Sequence, residues 1–165
     1  MTRLSADSPL QALQAAWDAS LGPVGHAVGV GIDLVEIEPL RQLIEAGGSA
    51  FLDAAWTARE QQDANTEAEG LAGKWAAKEA VMKALGHGIG DLEPLDVEIV
   101  STPPGAPDVR LHRAARTMAR NQSVASWHVS VTHEGGWAAA IAIATSRHLQ
   151  LTERAVTAEE RRSLG

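Results

Sequence analysis

Residues 74–83, with the sequence KWAAKEAVMK, carry the strongest helix signal in the chain. They lie in a predicted helix over about 67–85, where apolar side chains recur at helical spacing and alanines raise the helix propensity. Glu79 and Lys83 are one turn apart on one flank of the apolar stripe, whereas Lys78 projects from its middle. One interpretation is a surface Glu–Lys pair with a snorkelling lysine. The other is a site for an anionic phosphate ligand and its metal.

A strand is predicted over residues 27–37, whose sequence AVGVGIDLVEI alternates and is rich in β-branched residues. One face carries the large apolar side chains, and the other carries Gly29, Gly31 and Asp33. A carboxylate in an apolar strand costs desolvation energy unless a cation or hydrogen bonds compensate. The glycines leave room for a close approach to the backbone. The alternative is that Asp33 caps the next turn.

The remaining pattern predicts an α+β fold with an antiparallel sheet packed against helices. A short helix is expected over 39–45, a half-exposed strand over 95–99, a returning strand at 109–111 and a helix over 113–121. The runs WHVSVTH and WAAAIAIA flank a short glycine turn and predict a hairpin. We expect an appended amphipathic helix over 1–25, one domain over 26–147 and a polar tail over 148–165.

Composition narrows the class of protein. The 165 residues are 45% hydrophobic and 21% charged, as in an ordinary globular domain. There is no cysteine, which excludes disulfides, thiolate metal sites and cysteine nucleophiles. A net charge of −7 argues against general nucleic-acid binding. No apolar run approaches the roughly 20 residues of a membrane span, and no signal-peptide pattern opens the chain, so a cytoplasmic location is expected.

The segment Ser130–His133 places hydroxyls and an imidazole beside the predicted glycine turn, where they could donate to one anion. The alternative is that these are ordinary polar residues at the end of a strand, before the turn of a hairpin. A zinc site built from His112, His128 and His133 matches no standard ligand spacing. The phosphate loop of nucleotide hydrolases, the dinucleotide-binding glycine motif and the G-x-S-x-G elbow are all missing from the sequence.

The residues taken alone therefore give one acidic strand residue, one acidic helix residue with lysines, and one hydroxyl–histidine turn. Two carboxylates and retained waters are the usual means of holding Mg²⁺ against the phosphates of a substrate. This combination indicates phosphoryl-type chemistry on a phosphorylated cofactor.

Three motifs, GIDLVEI at 31–37, WAAKEAVMKALG at 75–86 and HVSVTH at 128–133, occur in that order. Together they resemble the holo-acyl-carrier-protein synthase branch of the 4′-phosphopantetheinyl transferases. Weaker similarity to the family lies in WTARE at 56–60 and GAPDVRL at 105–111. The resemblance covers about residues 28–144, and the WAAKEA stretch is its most specific part.

The resemblance implies a transferase that moves 4′-phosphopantetheine from coenzyme A to a serine of an apo acyl carrier protein and releases 3′,5′-ADP. Asp33 and Glu79 would bind Mg²⁺, and Lys83 would neutralise the pyrophosphate. Lys74 would contact a cofactor phosphate, and Ser130 and His133 would hold the 3′-phosphate. The catalytic set would thus be Asp33, Glu79 and Lys83, with either Glu79 or a metal-bound water as the base.

The resemblance also implies a homotrimer with active sites between subunits, so that His133 of one copy faces Asp33 and Glu79 of the next. Many relatives use arginines on the helix after the aspartate to bind the acidic carrier, and here Arg41 is the obvious basic residue. This departure leaves an alternative open: a non-catalytic trimeric module of the same fold that binds coenzyme A. Neither interpretation includes a nucleic-acid or membrane partner.

Overall fold

The computed structural model describes residues 26–102 and 105–146. His26–Ser146 forms one compact unit. The predicted helix over 1–25 and the predicted tail over 148–165 lie outside the described residues. Within the described part, no helix is both long and apolar enough to cross a membrane.

In the described part of the chain, five strands and four helices follow one another in an order that agrees with the predicted α+β class. Strand β1 (Ala27–Glu36) is followed by helices α1 (Ile37–Ala55), α2 (Ala58–Asp63) and α3 (Ala68–Ala84). A short 3₁₀ turn at Pro94–Asp96 leads into strands β2 (Val97–Thr102) and β3 (Ala106–Leu111). Helix α4 (Arg113–Asn121) and strands β4 (Val124–Glu134) and β5 (Trp137–Ser146) complete the unit.

The main sheet has the order β1–β5–β4, and all its pairs are antiparallel. Strands β4 and β5 form the predicted hairpin. Its two-residue turn, Gly135-Gly136, has positive φ angles of 58° and 86°, which glycine adopts without steric cost. The alanines of β5 that face α3 are fully or almost fully buried, so small side chains let the helix lie close to the sheet.

Helix α3 packs closely against strand β1 because two glycines leave space for its backbone. A Cβ on Gly31 would lie 2.0 Å from the carbonyl oxygen of Ala80, and one on Gly29 would lie 2.0 Å from that of Ala84. The predicted close approach to these glycines is therefore made by the protein's own helix. Asp33 follows on the same face, which brings its carboxylate toward α3.

One local prediction was wrong. The strand at 95–99 is not half-exposed, because its first part is a 3₁₀ turn and residues 97–100 are all buried. Strands β2 and β3 form a separate two-stranded sheet, and β2 lies beside α2 and α3. The short helix predicted over 39–45 is present as the first part of α1, which is interrupted at Gly48, where the backbone is non-helical (φ 57°, ψ −148°), before a second helical part continues to Ala55.

Candidate active site

Asp33, Glu79 and Lys83, which are distant in sequence, meet where β1 crosses the C-terminal half of α3. The ammonium Nζ of Lys83 lies 2.6 Å from Oδ1 of Asp33. The Asp33 side chain is only 9% exposed, whereas that of Lys83 is about half-exposed. Glu79 lies one helical turn before Lys83 and is half-buried, close enough to Asp33 for the two carboxylates to interact. The structure thus brings together the three residues that the sequence predicts as catalytic.

The charges of this cluster oppose one another. Burial raises the pKa of Glu79, and the charge of Asp33 raises it further, whereas a hydrogen bond with Trp75 and the charge of Lys83 act against that rise. The hydrogen bond to Asp33 raises the pKa of Lys83. A nearby cation stabilises two like charges. Lys83 interacts with both carboxylates, so the two carboxylates and one ammonium carry one formal negative charge in excess.

The Asp33–Glu79 pair has the chemistry of a magnesium site. Carboxylate oxygens are the hard ligands that Mg²⁺ prefers, and the ion commonly takes only one or two from the protein, with waters and substrate phosphates supplying the rest. Clusters of three or more potential metal-ligating side chains do not occur among residues 26–102 and 105–146. The donor set therefore fits an ion that a phosphorylated substrate helps to hold.

Lys78, the neighbour of Glu79, has a role that the sequence did not reveal. It is not a snorkelling lysine: it is 1% exposed and pairs at 2.8 Å with Oε2 of Glu60, which is fully buried. Its Nζ also donates to the carbonyl oxygens of Pro94 and Val97, at 2.9 and 2.7 Å. Burial lowers the pKa of Lys78, and the charge of Glu60 opposes that shift. Such a pair fixes the rotation of α3 and so the direction of Glu79.

Glu60 also joins helix α2 to strand β2. It closes a capping box with Thr57 at the start of α2, and its Oε1 accepts the backbone N–H of Ile99 at 2.9 Å. The sequence signal for this role is the T-x-x-E spacing of Thr57 and Glu60, which is a helix-start pattern. Two residues of the family-like segment at 56–60, Thr57 and Glu60, thus make structural contacts in this protein.

Lys74 belongs to the same buried network. It is 8% exposed, donates to the carbonyl oxygen of Ile99 at 2.8 Å, and lies 3.6 Å from Oδ2 of Asp63. Asp63 in turn accepts the backbone N–H of Ser101 at 2.9 Å. Lys74 and Lys83 are nine residues apart on α3, which puts them on opposite sides of the helix. The ammonium of Lys74 is thus already bound by protein groups, which leaves it poorly placed for the predicted contact with a cofactor phosphate.

His133 and Ser130 lie apart from the Asp33–Glu79–Lys83 cluster within one chain. His133 faces α3 over Gly73, where a Cβ would lie 2.6 Å from its Nε2, and that nitrogen lies 3.1 Å from the carbonyl oxygen of Glu69. Gly73 is six residues before Glu79, or about 9 Å along the helix. Ser130 points to the opposite, exposed face of the sheet, opposite Ile141. One chain alone does not bring both groups to one anion.

The structure also shows where the three histidines of the zinc alternative and Arg41 lie. His112 lies 3.0 Å from Glu98, while His128 and His133 face opposite sides of the main sheet, so the three histidines of the zinc alternative do not converge. Arg41 is exposed on α1, where Glu38 binds its guanidinium at 2.7 and 2.9 Å and Glu45 also pairs with it. Its positive charge is therefore largely neutralised within its own helix.

Comparison with known proteins places this chain and its fold in one family. The family model described as the 4′-phosphopantetheinyl transferase superfamily matches residues 29–142. A holo-[acyl-carrier-protein] synthase of Herpetosiphon aurantiacus is 35% identical over 120 residues, which cover 68% of this chain and 94% of the relative. One of Mycobacterium ulcerans is 40% identical over 127 residues, which cover 70% and 95%.

Among solved structures, the Helicobacter pylori holo-[acyl-carrier-protein] synthase in complex with coenzyme A superposes with a TM-score of 0.64 at 28% identity. The match covers 70% of this chain and 99% of that one. The fold is thus that of an α+β transferase class. The chain belongs to the 4′-phosphopantetheinyl transferase superfamily, as its motifs indicate.

Proposed function

We propose that this protein transfers the 4′-phosphopantetheine group of coenzyme A to a serine hydroxyl of an apo acyl carrier protein. The relatives named holo-[acyl-carrier-protein] synthase and the coenzyme A complex of the Helicobacter pylori protein support the activity and the substrate. The observation that carries the proposal is the convergence of Asp33, Glu79 and Lys83. A cytoplasmic location remains the expectation from the sequence.

The reaction exchanges one phosphorus–oxygen bond for another. The serine oxygen forms a bond to the phosphorus on the pantetheine side of the pyrophosphate, the bridging bond breaks, and 3′,5′-ADP leaves. Negative charge grows on the leaving phosphate, and the Lys83 ammonium is the group of this chain proposed to balance it. Glu79, or a water held by the bound ion, is the proposed acceptor of the serine proton, because a general base must lie within hydrogen-bond reach of the hydroxyl that it deprotonates.

Asp33 and Glu79 are proposed to hold Mg²⁺ when coenzyme A is bound. When present, the ion supplies charge neutralisation and orientation of the diphosphate. What the chain itself provides is a pair of carboxylates held at a fixed separation. Asp33 is fixed by its strand and by Lys83, and Glu79 is fixed by the neighbouring buried Lys78–Glu60 pair.

A homotrimer with active sites between subunits is proposed from the outer face of the main sheet. Large apolar side chains on this face are 40–68% exposed, an unusual concentration for a soluble monomer. They are Val28, Val30, Ile32, Leu34, Trp137 and Ile141. Covering this face with further copies would bury them and bring Ser130 into an interface. Because Ser130 and His133 lie on opposite faces of β4, they are proposed to reach the 3′-phosphate from two different copies. Lys74 is left out of this proposal because protein groups occupy its ammonium.

The test is the mass of an apo carrier protein after incubation with coenzyme A, Mg²⁺ and the enzyme. The wild-type protein should add one phosphopantetheine group, and Glu79→Gln should slow this by about a hundredfold or more. Glu67→Gln is the matched control, because Glu67 precedes α3 and makes no side-chain cap hydrogen bond. Full activity of Glu79→Gln, with the trimer intact, would reject the assigned role.

The alternative is a non-catalytic module that binds coenzyme A. One observation favours it: Arg41 on α1 is neutralised by Glu38 and Glu45, which weakens the predicted contact with an acidic carrier. The same experiment separates the two functions. Coenzyme A binding by calorimetry without any mass gain across a panel of carrier proteins would establish the module.

A further inference from the structure

Helix α4 carries a stripe of positive charge along its outer side. Arg113, Arg116 and Arg120 are spaced three and four residues apart, which puts them on one face of the helix. Ala115 and Ala119 are buried on the opposite face. The arginine face is therefore the side of α4 that is turned to solvent, and all three residues are exposed.

Two of these arginines have no counterion. Arg113 lies 2.6 Å from Asp96, but Arg116 and Arg120 make no ion pair or side-chain hydrogen bond within residues 26–102 and 105–146. Residues 113–121 include no acidic side chain. Like charges one turn apart slightly destabilise a helix. The local fold thus gives no reason for a second and third arginine on this face.

The other described cations are all close to carboxylates. Lys74, Lys78, Lys83 and Arg41 form ion pairs, and Arg59 and Arg110 lie within electrostatic reach of Asp63 and Glu98 respectively. In a chain with a net charge of −7, Arg116 and Arg120 therefore stand out as uncompensated positive charge. A partner with negative charge is the chemistry that fits such a surface.

The stripe ends near the candidate active site. The side-chain amide of Gln122, which follows α4, donates to the carbonyl oxygen of Leu85 at 2.8 Å. Leu85 directly follows α3, and Lys83 lies two residues earlier. This hydrogen bond holds the C-terminal end of α4, with Arg120, beside the end of α3 that carries Lys83. A protein that brings a serine to the Asp33–Lys83 cluster is thereby brought close to α4.

We propose that Arg116 and Arg120 form a docking surface for an acidic face of the carrier protein, an inference that rests on the proposed transferase function. Helix α1 offers little for such a contact, since Arg41 is held by Glu38 and Glu45. Charges at the rim of an interface act mainly on association rate and on the choice of partner. Helix α4 thus supplies the basic surface that α1 lacks.

The experiment compares the wild-type protein with the double variant Arg116→Gln/Arg120→Gln, using an apo acyl carrier protein of net negative charge. Each exposed charge pair is worth roughly a factor of two to four, so the KM for the carrier should rise about fivefold to tenfold. The kcat and the KM for coenzyme A should not change. The dependence of kcat/KM on salt should become flatter, because fewer charges are screened. Arg59→Gln, an exposed arginine on α2, is the matched control and should behave as wild type.

Direct binding of the carrier, measured by calorimetry at low salt without coenzyme A, separates the inference from the proposed function. Weaker binding by the double variant supports the docking surface even if the wild-type protein turns out not to transfer the group. An unchanged KM and an unchanged salt dependence overturn it, as does a wild-type protein that neither binds nor modifies the carrier. A rise in the KM for coenzyme A alone would assign the arginines to cofactor phosphates and also overturn it.

Discussion

Gly31→Ala should separate helix α3 from strand β1 and so disturb both stability and the candidate site. The added Cβ would lie 2.0 Å from the carbonyl oxygen of Ala80 and 2.7 Å from the amide nitrogen of Ala84. Both are backbone atoms, so no side-chain rotation relieves the overlap. Because such contacts essentially never fall below 3.0 Å, the helix must retreat by at least about 1 Å.

The expected magnitude follows from that displacement. Overpacking of this kind costs about 1–3 kcal/mol of the free energy of unfolding. For a chain of this size each kcal/mol lowers the Tm by about 2–4 °C, so a fall of roughly 3–10 °C is expected. A shift of about 1 Å of Glu79 and Lys83 relative to Asp33 should cost about a hundredfold in transfer rate.

The assay is thermal unfolding by circular dichroism, followed by the carrier-mass assay at a temperature where the variant is folded. Gly88→Ala is the control for stability, because a Cβ on Gly88 meets nothing within 4 Å. If Gly31→Ala unfolded at the wild-type temperature, α3 could not lie as close to β1 as the structure shows. The argument that this contact positions the acidic cluster would then be wrong as well.

Four further predictions concern the site, its support and the assembly. In the metal-free protein, Asp33→Asn should lower the pKa of Glu79, because the negative charge of Asp33 raises that pKa. An unchanged titration of the Glu79 carboxyl, followed by NMR, would contradict this prediction. Since the folded-state pKa of Glu79 is raised, its contribution to stability should be present below about pH 4.5 and be lost as pH rises through the folded pKa, and urea unfolding measured across that range checks the sign. Lys78→Met should leave Glu60 buried and unpaired and cost about 3–5 kcal/mol in urea unfolding, and a loss below 1 kcal/mol would show that the pair does not hold α3. Ile32→Lys should break the proposed trimer into monomers in light scattering, since it places a charge on the exposed apolar face, whereas a trimer that survives would locate the interface elsewhere.

Local patterns were enough to predict most elements. Helix α3, helix α4, the β4–β5 hairpin and strand β1 all follow from periodicity and from glycine turns, and the structure confirms them. Asp33 and Glu79 also meet as expected. The predictions of elements succeed because the signal for each one is contained within its own segment, whereas the meeting of Asp33 with Glu79 was implied by the family resemblance.

The burial of individual side chains could not be predicted from the sequence. Alternation along β1 separates two faces but does not say which is buried, and here the glycine face is covered by α3 while Ile32 remains 68% exposed. The snorkelling interpretation of Lys78, one of the two that the sequence leaves open, fails because the partners of Lys78 are distant in sequence. They are Glu60 on another helix and the carbonyl oxygens of Pro94 and Val97, which are 16 and 19 residues away. Only the packing of α2, α3 and β2 against one another shows that these groups form hydrogen bonds and an ion pair with each other.

The same packing has a consequence for how strand β2 avoids unwanted association. The N–H and C=O groups on its outer edge could otherwise pair with a strand of another molecule. Instead, Glu60 and Asp63 accept backbone N–H groups of β2, and Lys74 and Lys78 donate to its carbonyl oxygens. A buried ion pair can often be exchanged for two apolar residues at no loss of stability. Here that exchange would leave the outer N–H and C=O groups of β2 without partners, so the charged side chains also close this edge to pairing with another strand.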